Sequence, residues 1–115
     1  MLEKPLCWLG SSLADLRAFP GDARRAAGYQ LRRVQQGLMP SDWKSMTTVG
    51  PGVYEIRVHT GVDHRVFYVA KYEEAVYVLH AFEKRTRQTP QSEILLARTR
   101  FAELRRRRAL KQEAP

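Results

Sequence analysis

The chain is poor in cysteine: Cys7 is the only one among 115 residues. No intrachain disulfide can staple the fold, and no cysteine-based zinc site can form. A lone thiol of this kind is expected to be buried and reduced. Histidine is scarce as well, and His59, His64 and His80 do not have the spacing of metal ligands, so no metal or other cofactor is expected. No apolar run approaches the roughly 18 residues needed to cross a bilayer, and the N-terminus lacks the charged and then apolar pattern of a secretory signal. A membrane partner is therefore not expected, and the expected compartment is the cytoplasm. Internal repeats and low-complexity segments are also lacking, and residues 1–115 read as one domain.

Acidic residues are in the minority: 12 Asp and Glu stand against 20 Lys and Arg, for a net charge of +8. A surface of one dominant sign selects partners of the other sign, so the balance points first to nucleic acid and then to an acidic protein. With 43% hydrophobic residues, the chain has enough apolar material for a core without cross-links.

In chain order, Leu6 to Leu9 is a short apolar patch suited to an edge strand. Ser12 with Asp15 resembles a shortened capping box, and Leu13, Leu16 and Phe19 repeat at helical spacing, so a first helix should end before Pro20. A second helix should begin at Gly21 or Asp22, whose carboxylate suits the positive end of the helix dipole. It buries Ala23, Ala27, Leu31 and Val34, turns Arg24, Arg25, Arg32 and Arg33 outward, and stops at Gly37. From Leu38 to Gly52 the periodicity is lost, and Trp43 and Met46 are expected to pin this loop to the core.

Three strands follow. In VYEIRVH (Val53 to His59), Tyr54, Ile56 and Val58 should face the helices, while Glu55, Arg57 and His59 face outward. The turn containing Gly61 and Asp63 leads into Arg65 to Ala70, and His64 is expected to be exposed in that turn. The run beginning at Val76 is apolar enough for a strand covered on both faces, and it ends in the cations Lys84 and Arg85. Thr89 and Pro90 then give a helix start. Ile94, Ala97, Phe101 and Leu104 should form the buried stripe of this last helix, which carries Arg98, Arg100 and the run Arg105 to Arg108. Residues 109–115 are expected to fray. The fold class is α+β: an N-terminal helical hairpin packed on a small antiparallel sheet, with a C-terminal helix alongside.

The segment GVYEIRV, the Arg in the following strand, and VYVLHAFEKRTRQTP before a basic helix resemble the RelE/ParE superfamily of toxins from type II toxin–antitoxin pairs. Within it, LHAFEKRTRQTP is most similar to the phage-derived, HigB-like branch. The resemblance covers about Trp8 to Arg106. It implies a ribosome-dependent endoribonuclease, an mRNA interferase, in which the 2′-OH attacks the neighbouring phosphate without a metal. It also implies mRNA and the ribosome as partners, and silencing by a cognate antitoxin of helix-turn-helix type. A ParE-like inhibitor of DNA gyrase, and an inactive nucleic-acid-binding relative, are the alternatives within the same superfamily.

Carried over residue by residue, the pattern assigns Arg57, Arg65, Lys84 and Arg85 to the catalytic site, with Arg65 and Arg85 clamping phosphate and the other two in support. Cations aimed at a developing oxyanion can supply ~2 to 4 kcal/mol each. Glu55 stands where ribosome-dependent RelE has a basic residue, and Gln91 stands near the place of its C-terminal catalytic Tyr. Stacking or general-acid roles must then be filled otherwise or not at all; an imidazole suits proton transfer, His59 being the candidate at the strand end, whereas His80 reads as a core histidine. Arg87, Arg98, Arg105 and Arg106 are assigned to RNA phosphates, and the C-terminal arginines are too many for intramolecular pairing.

Overall fold

The structure, a computed structural model, describes residues 3–113. Eight elements follow in order: β1 (Leu6–Trp8), α1 (Ser12–Arg17), α2 (Gly21–Gln35), β2 (Trp43–Ser45), β3 (Val53–Thr60), β4 (Val62–Val69), β5 (Val76–Lys84) and α3 (Gln91–Glu113). The strands form one mixed sheet in the order β1-β5-β4-β3-β2, with β1 parallel to β5 and the other pairings antiparallel. The fold is α+β, as expected, and is consistent with a RelE-like fold.

Helices cover both faces of the sheet. On one face the α2 stripe Ala23, Ala27, Leu31 and Val34 packs with Leu16 and Phe19 against Ile56, Val58, Val66, Tyr68, Val76 and Val78. Leu31 is 1% exposed, and its truncation to Ala is worth ~2 to 5 kcal/mol. On the other face Ile94, Ala97, Phe101 and Leu104 of α3 pack on Val53, Phe67, Val69, Leu79 and Phe82. The loop before β3 contributes Met46 and Val49 to this second core. Gly50 lies so close to α3 that a Cβ there would sit 2.3 Å from the Phe101 ring, so only glycine lets the loop rest on the helix.

Several expectations need correction. The stretch from Leu38 to Gly52 contains β2, an edge strand, and Trp43 is 43% exposed, edge-on to Tyr54 at 5.4 Å, so of the two anchors only Met46 is buried. Cys7 is exposed on β1. His64 is buried, 2% exposed, with its ring 4.4 Å from that of Phe19, because β4 begins at Val62 rather than Arg65. The helix α3 extends through residue 113, and 114–115 lie outside the described residues. Pro90 supplies the first carbonyl of α3, accepting from the Glu93 and Ile94 amides at 3.0 and 3.4 Å.

A bulge in β5 decides which side chains share a face. Phe67 pairs with His80 and Tyr68 with Val78, so Leu79 has no partner across the ladder. Leu79 and His80 therefore both lie on the α3 side, His80 stacking on Phe82 at 4.9 Å. Beyond this point the alternation is inverted, and Phe82 and Lys84 fall on the face of α3.

Candidate nucleic-acid interface

The second core stops short of the sheet's end. Where α3 no longer covers β3 and β4, a cleft of about 390 Å³ remains, walled by β2, the loop after β5 and the first turns of α3. Its cations are Lys44, Arg57, Lys84, Arg87 and Arg98, and its one carboxylate is Glu55. Thr48, Thr89, Gln88 and Gln91 add neutral hydrogen-bonding groups.

Strand register explains the floor. Residues 55 and 57 are two apart on β3 and share a face, Arg57 stands opposite Arg65 on β4, and Lys44 on β2 stands opposite Glu55. Glu55 does not face outward as expected: it is 2% exposed, accepts a hydrogen bond from Arg57 Nε at 3.0 Å, and has Arg65 Nε at 3.6 Å. Burying a carboxylate requires such partners. The Arg57 side chain keeps 34% of its surface.

The loop wall is built by Lys84. Its ammonium donates to the carbonyls of Thr86 and Arg87 at 2.9 and 2.7 Å, while Thr86 Oγ1 donates to the Gln88 carbonyl at 2.6 Å. These bonds fold the chain back after β5 and bring Arg87 and Gln88 to the groove. The opposite corner is fixed by Arg98, whose Nε donates to the Thr48 carbonyl at 2.6 Å.

Not every residue assigned from the sequence converges here. Arg57, Lys84, Arg87 and Arg98 do. Arg65 is 5% exposed and donates through Nη1 to the His64 carbonyl at 3.2 Å, with Asp63 and Glu55 oxygens 3.6 Å away; no clamp on a ligand is open to it. Arg85 lies outside the groove, 78% exposed and paired with Glu83, because the bulge in β5 turns Lys84 rather than its neighbour to this face.

His59 sits at the end of the hairpin, outside the groove lining, with Nδ1 2.8 Å from Asp63 and Nε2 2.7 Å from Asp42. Hydrogen bonds to Asp63 and then Asp42 raise its pKa above the ordinary histidine value. With a carboxylate on each ring nitrogen, it is built to hold its proton as an imidazolium. His80 is 4% exposed and its pKa is lowered, first by burial, which agrees with a core role.

Three arginines of the run Arg105 to Arg108 pair with acids of the same chain, two of them sharing one carboxylate, while Arg105 has no acidic partner among the described residues. Glu103 binds Arg106 at 2.7 Å and Arg107 at 2.8 Å, and Arg108 binds Glu74 at 2.8 Å while lying 3.7 Å from the Tyr72 ring. The Arg108 bond holds the Glu74 carboxyl down at about 2. Arg105 lies 5.8 Å from the Phe101 ring.

Lys44 was not among the residues singled out from the sequence. It stands in a three-residue strand among turn formers, and only the pairing with β3 brings it over Glu55. Gln88 escaped notice for a related reason, since its position depends on the Lys84 carbonyl bonds.

A mixed five-stranded sheet with helices on both faces and a cationic groove at its open end is a small α+β architecture consistent with a RelE-like fold. The chain belongs to the family described as phage-derived protein Gp49-like (DUF891), whose model matches residues 14–102. No curated protein matches the chain.

Proposed function

We propose that this protein is the toxin of a type II toxin–antitoxin pair and that the groove holds single-stranded mRNA for cleavage, with the ribosome presenting the strand. The observation that carries the reading is the convergence of Lys44, Arg57, Lys84, Arg87 and Arg98 on one cleft whose only acid is buried and neutralised. Membership of a toxin-like family supports it.

In this reading Arg57 and Arg87 face the scissile phosphate, and Lys44 and Arg98 take the phosphates on either side. Attack by the 2′-oxygen forms a P–O2′ bond and breaks the P–O5′ bond, leaving a 2′,3′-cyclic phosphate and a 5′-OH. Negative charge grows on the non-bridging oxygens, where fixed guanidinium groups act most strongly in the transition state. The groove lining contains no imidazole, so the proton leaving the 2′-OH and the one reaching the 5′-oxygen are exchanged with water. The HigB-like assignment, an antitoxin of helix-turn-helix type and action in the cytoplasm belong to the same proposal.

Expression of the chain, of Arg57→Ala with Arg87→Ala, and of Arg24→Ala on the far face of α2, followed by mapping of mRNA ends, tests it. The unchanged chain and the Arg24 variant should arrest growth and create new mRNA ends, and the double variant should do neither. Growth arrest without new ends, or arrest that survives the double change, would overturn the nuclease reading; arrest with inhibited gyrase would favour the ParE-like alternative.

A further inference from the structure

The groove contains one group that opposes an anion, and it is placed with care. Glu55 lies in the floor beside the cation it most weakens. We infer that Glu55 is a positioning residue: its buried carboxylate fixes the Arg57 guanidinium for one phosphate and withholds part of the groove's charge from the rest of the RNA backbone. This rests on the reading of the groove as an RNA site.

Three observations lead there. First, Arg57 and Arg65 are directly opposed across β3 and β4, and like charges so placed repel. Glu55 Oε1 lies 3.0 Å from Arg57 Nε and 3.6 Å from Arg65 Nε, so a single carboxylate oxygen separates the two guanidinium groups electrostatically. Second, Arg65 Nε is buried and has no hydrogen-bond partner, and of the two carboxylates 3.6 Å from this guanidinium Glu55 is the one that faces Nε, Asp63 facing Nη2. Third, the Arg57 bond to Glu55 uses Nε and not the Nη pair. A guanidinium tethered at Nε gives up rotamer freedom before RNA arrives while its forked end stays available, and such preorganisation favours the transition state over mere binding.

Tether and brake predict opposite changes in two measurable quantities. In Glu55→Gln the Arg57 charge is released but its orientation is lost. Binding of a fluorescein-labelled single-stranded RNA decamer should tighten about threefold at low salt, and its salt dependence should steepen by up to ~0.7 in log–log slope. Ribosome-dependent cleavage should fall ~100-fold, as expected for a misplaced catalytic group. A lower KM with a lower kcat is not what a merely structural residue gives. In the Arg57→Ala background, Glu55→Gln should no longer tighten binding.

Arg57→Lys keeps the charge without the forked geometry, and it decides the matter if Glu55→Gln fails to fold. It should bind RNA within about twofold of the unchanged chain, with the same salt slope, yet cleave ~100-fold more slowly. Cleavage by Arg57→Lys at the unchanged rate, or a Glu55→Gln effect that persists without Arg57, overturns the inference. If Arg57→Ala and Arg87→Ala both bind RNA like the unchanged chain, the groove reading itself has failed. If they bind weakly while Arg57→Lys behaves as the unchanged chain does, only the role of Glu55 has failed.

Discussion

Two regions of this protein concentrate arginine, and they use it differently. In the last turns of α3, Arg106 and Arg107 share Glu103, and Arg108 is held by Glu74 and Tyr72. In the groove, five cations surround one acid, and that acid is 2% exposed. A run of four consecutive arginines is the more visible feature of the sequence, but three of the four are held by two local carboxylates. The groove draws its cations from β2, β3, β5, the following loop and α3, so its charge is assembled by tertiary structure alone. Availability to a polyanion depends on what each guanidinium already holds.

The largest expected effect sharpens the line between structural and available charge within the groove region itself. Arg65→Ala should destabilise the fold by ~3 to 5 kcal/mol, because it leaves Glu55 with half its compensation in a buried position. Chemical denaturation measures this, and a loss within about 1 kcal/mol would show that the Arg65–Glu55 contact is not a buried ion pair in solution. Next in size, Arg87→Ala should weaken binding of a single-stranded RNA roughly tenfold at low salt and lower the salt slope by ~0.7, whereas Arg106→Ala should change binding by less than about twofold. Equal losses in the two variants would erase the difference between the regions.

A smaller effect runs the other way. Glu103→Ala releases Arg106 and Arg107 at once. Non-specific RNA binding should rise about twofold at low salt, and the gain should vanish at high salt as screening takes over. No gain would mean that pairing with Glu103 does not limit these arginines.

The sequence revealed the fold more readily than the site, and the reasons lie in particular residues. The stripe Ala23, Ala27, Leu31 and Val34 and the stripe Ile94, Ala97, Phe101 and Leu104 are each written in consecutive turns of one helix, and all eight residues are buried. Alternation likewise placed Tyr54, Ile56 and Val58 toward the helices, where they pack. Periodicity is blind to a bulge, however, and the unpartnered Leu79 exchanged the faces of Lys84 and Arg85. Nor does a single strand record its neighbour's charge: Glu55 looked solvent-facing until Arg57 and Arg65 closed over it. The short β1 and β2 strands lie at the two edges of the sheet, and Lys44 enters the groove only through the pairing of β2 with β3, which no periodicity within three residues can announce. The site is a product of register, which composition does not encode.

His59 offers the smallest effect and the finest division between the groove and its border. Its ring nitrogens join Asp42, just before β2, to Asp63 at the start of β4, so the clamp ties both sides of β3 together beside the groove. The His59 pKa is raised, so its contribution to stability is complete below about pH 6.5 and is lost as the pH rises through the higher folded value. The Asp63 pKa is lowered, so its share is present above about pH 4 and is lost as the pH falls through the lower folded value. The clamp is therefore strongest between those limits. Because His59 is 51% exposed, solvent screening keeps the effect small. Thermal melts of the unchanged chain and of His59→Gln should differ by a few degrees at most near pH 6 and converge by pH 9. RNA binding should keep its salt slope in the variant, since His59 lies outside the groove lining. A changed slope would move His59 from the border of the site into the site.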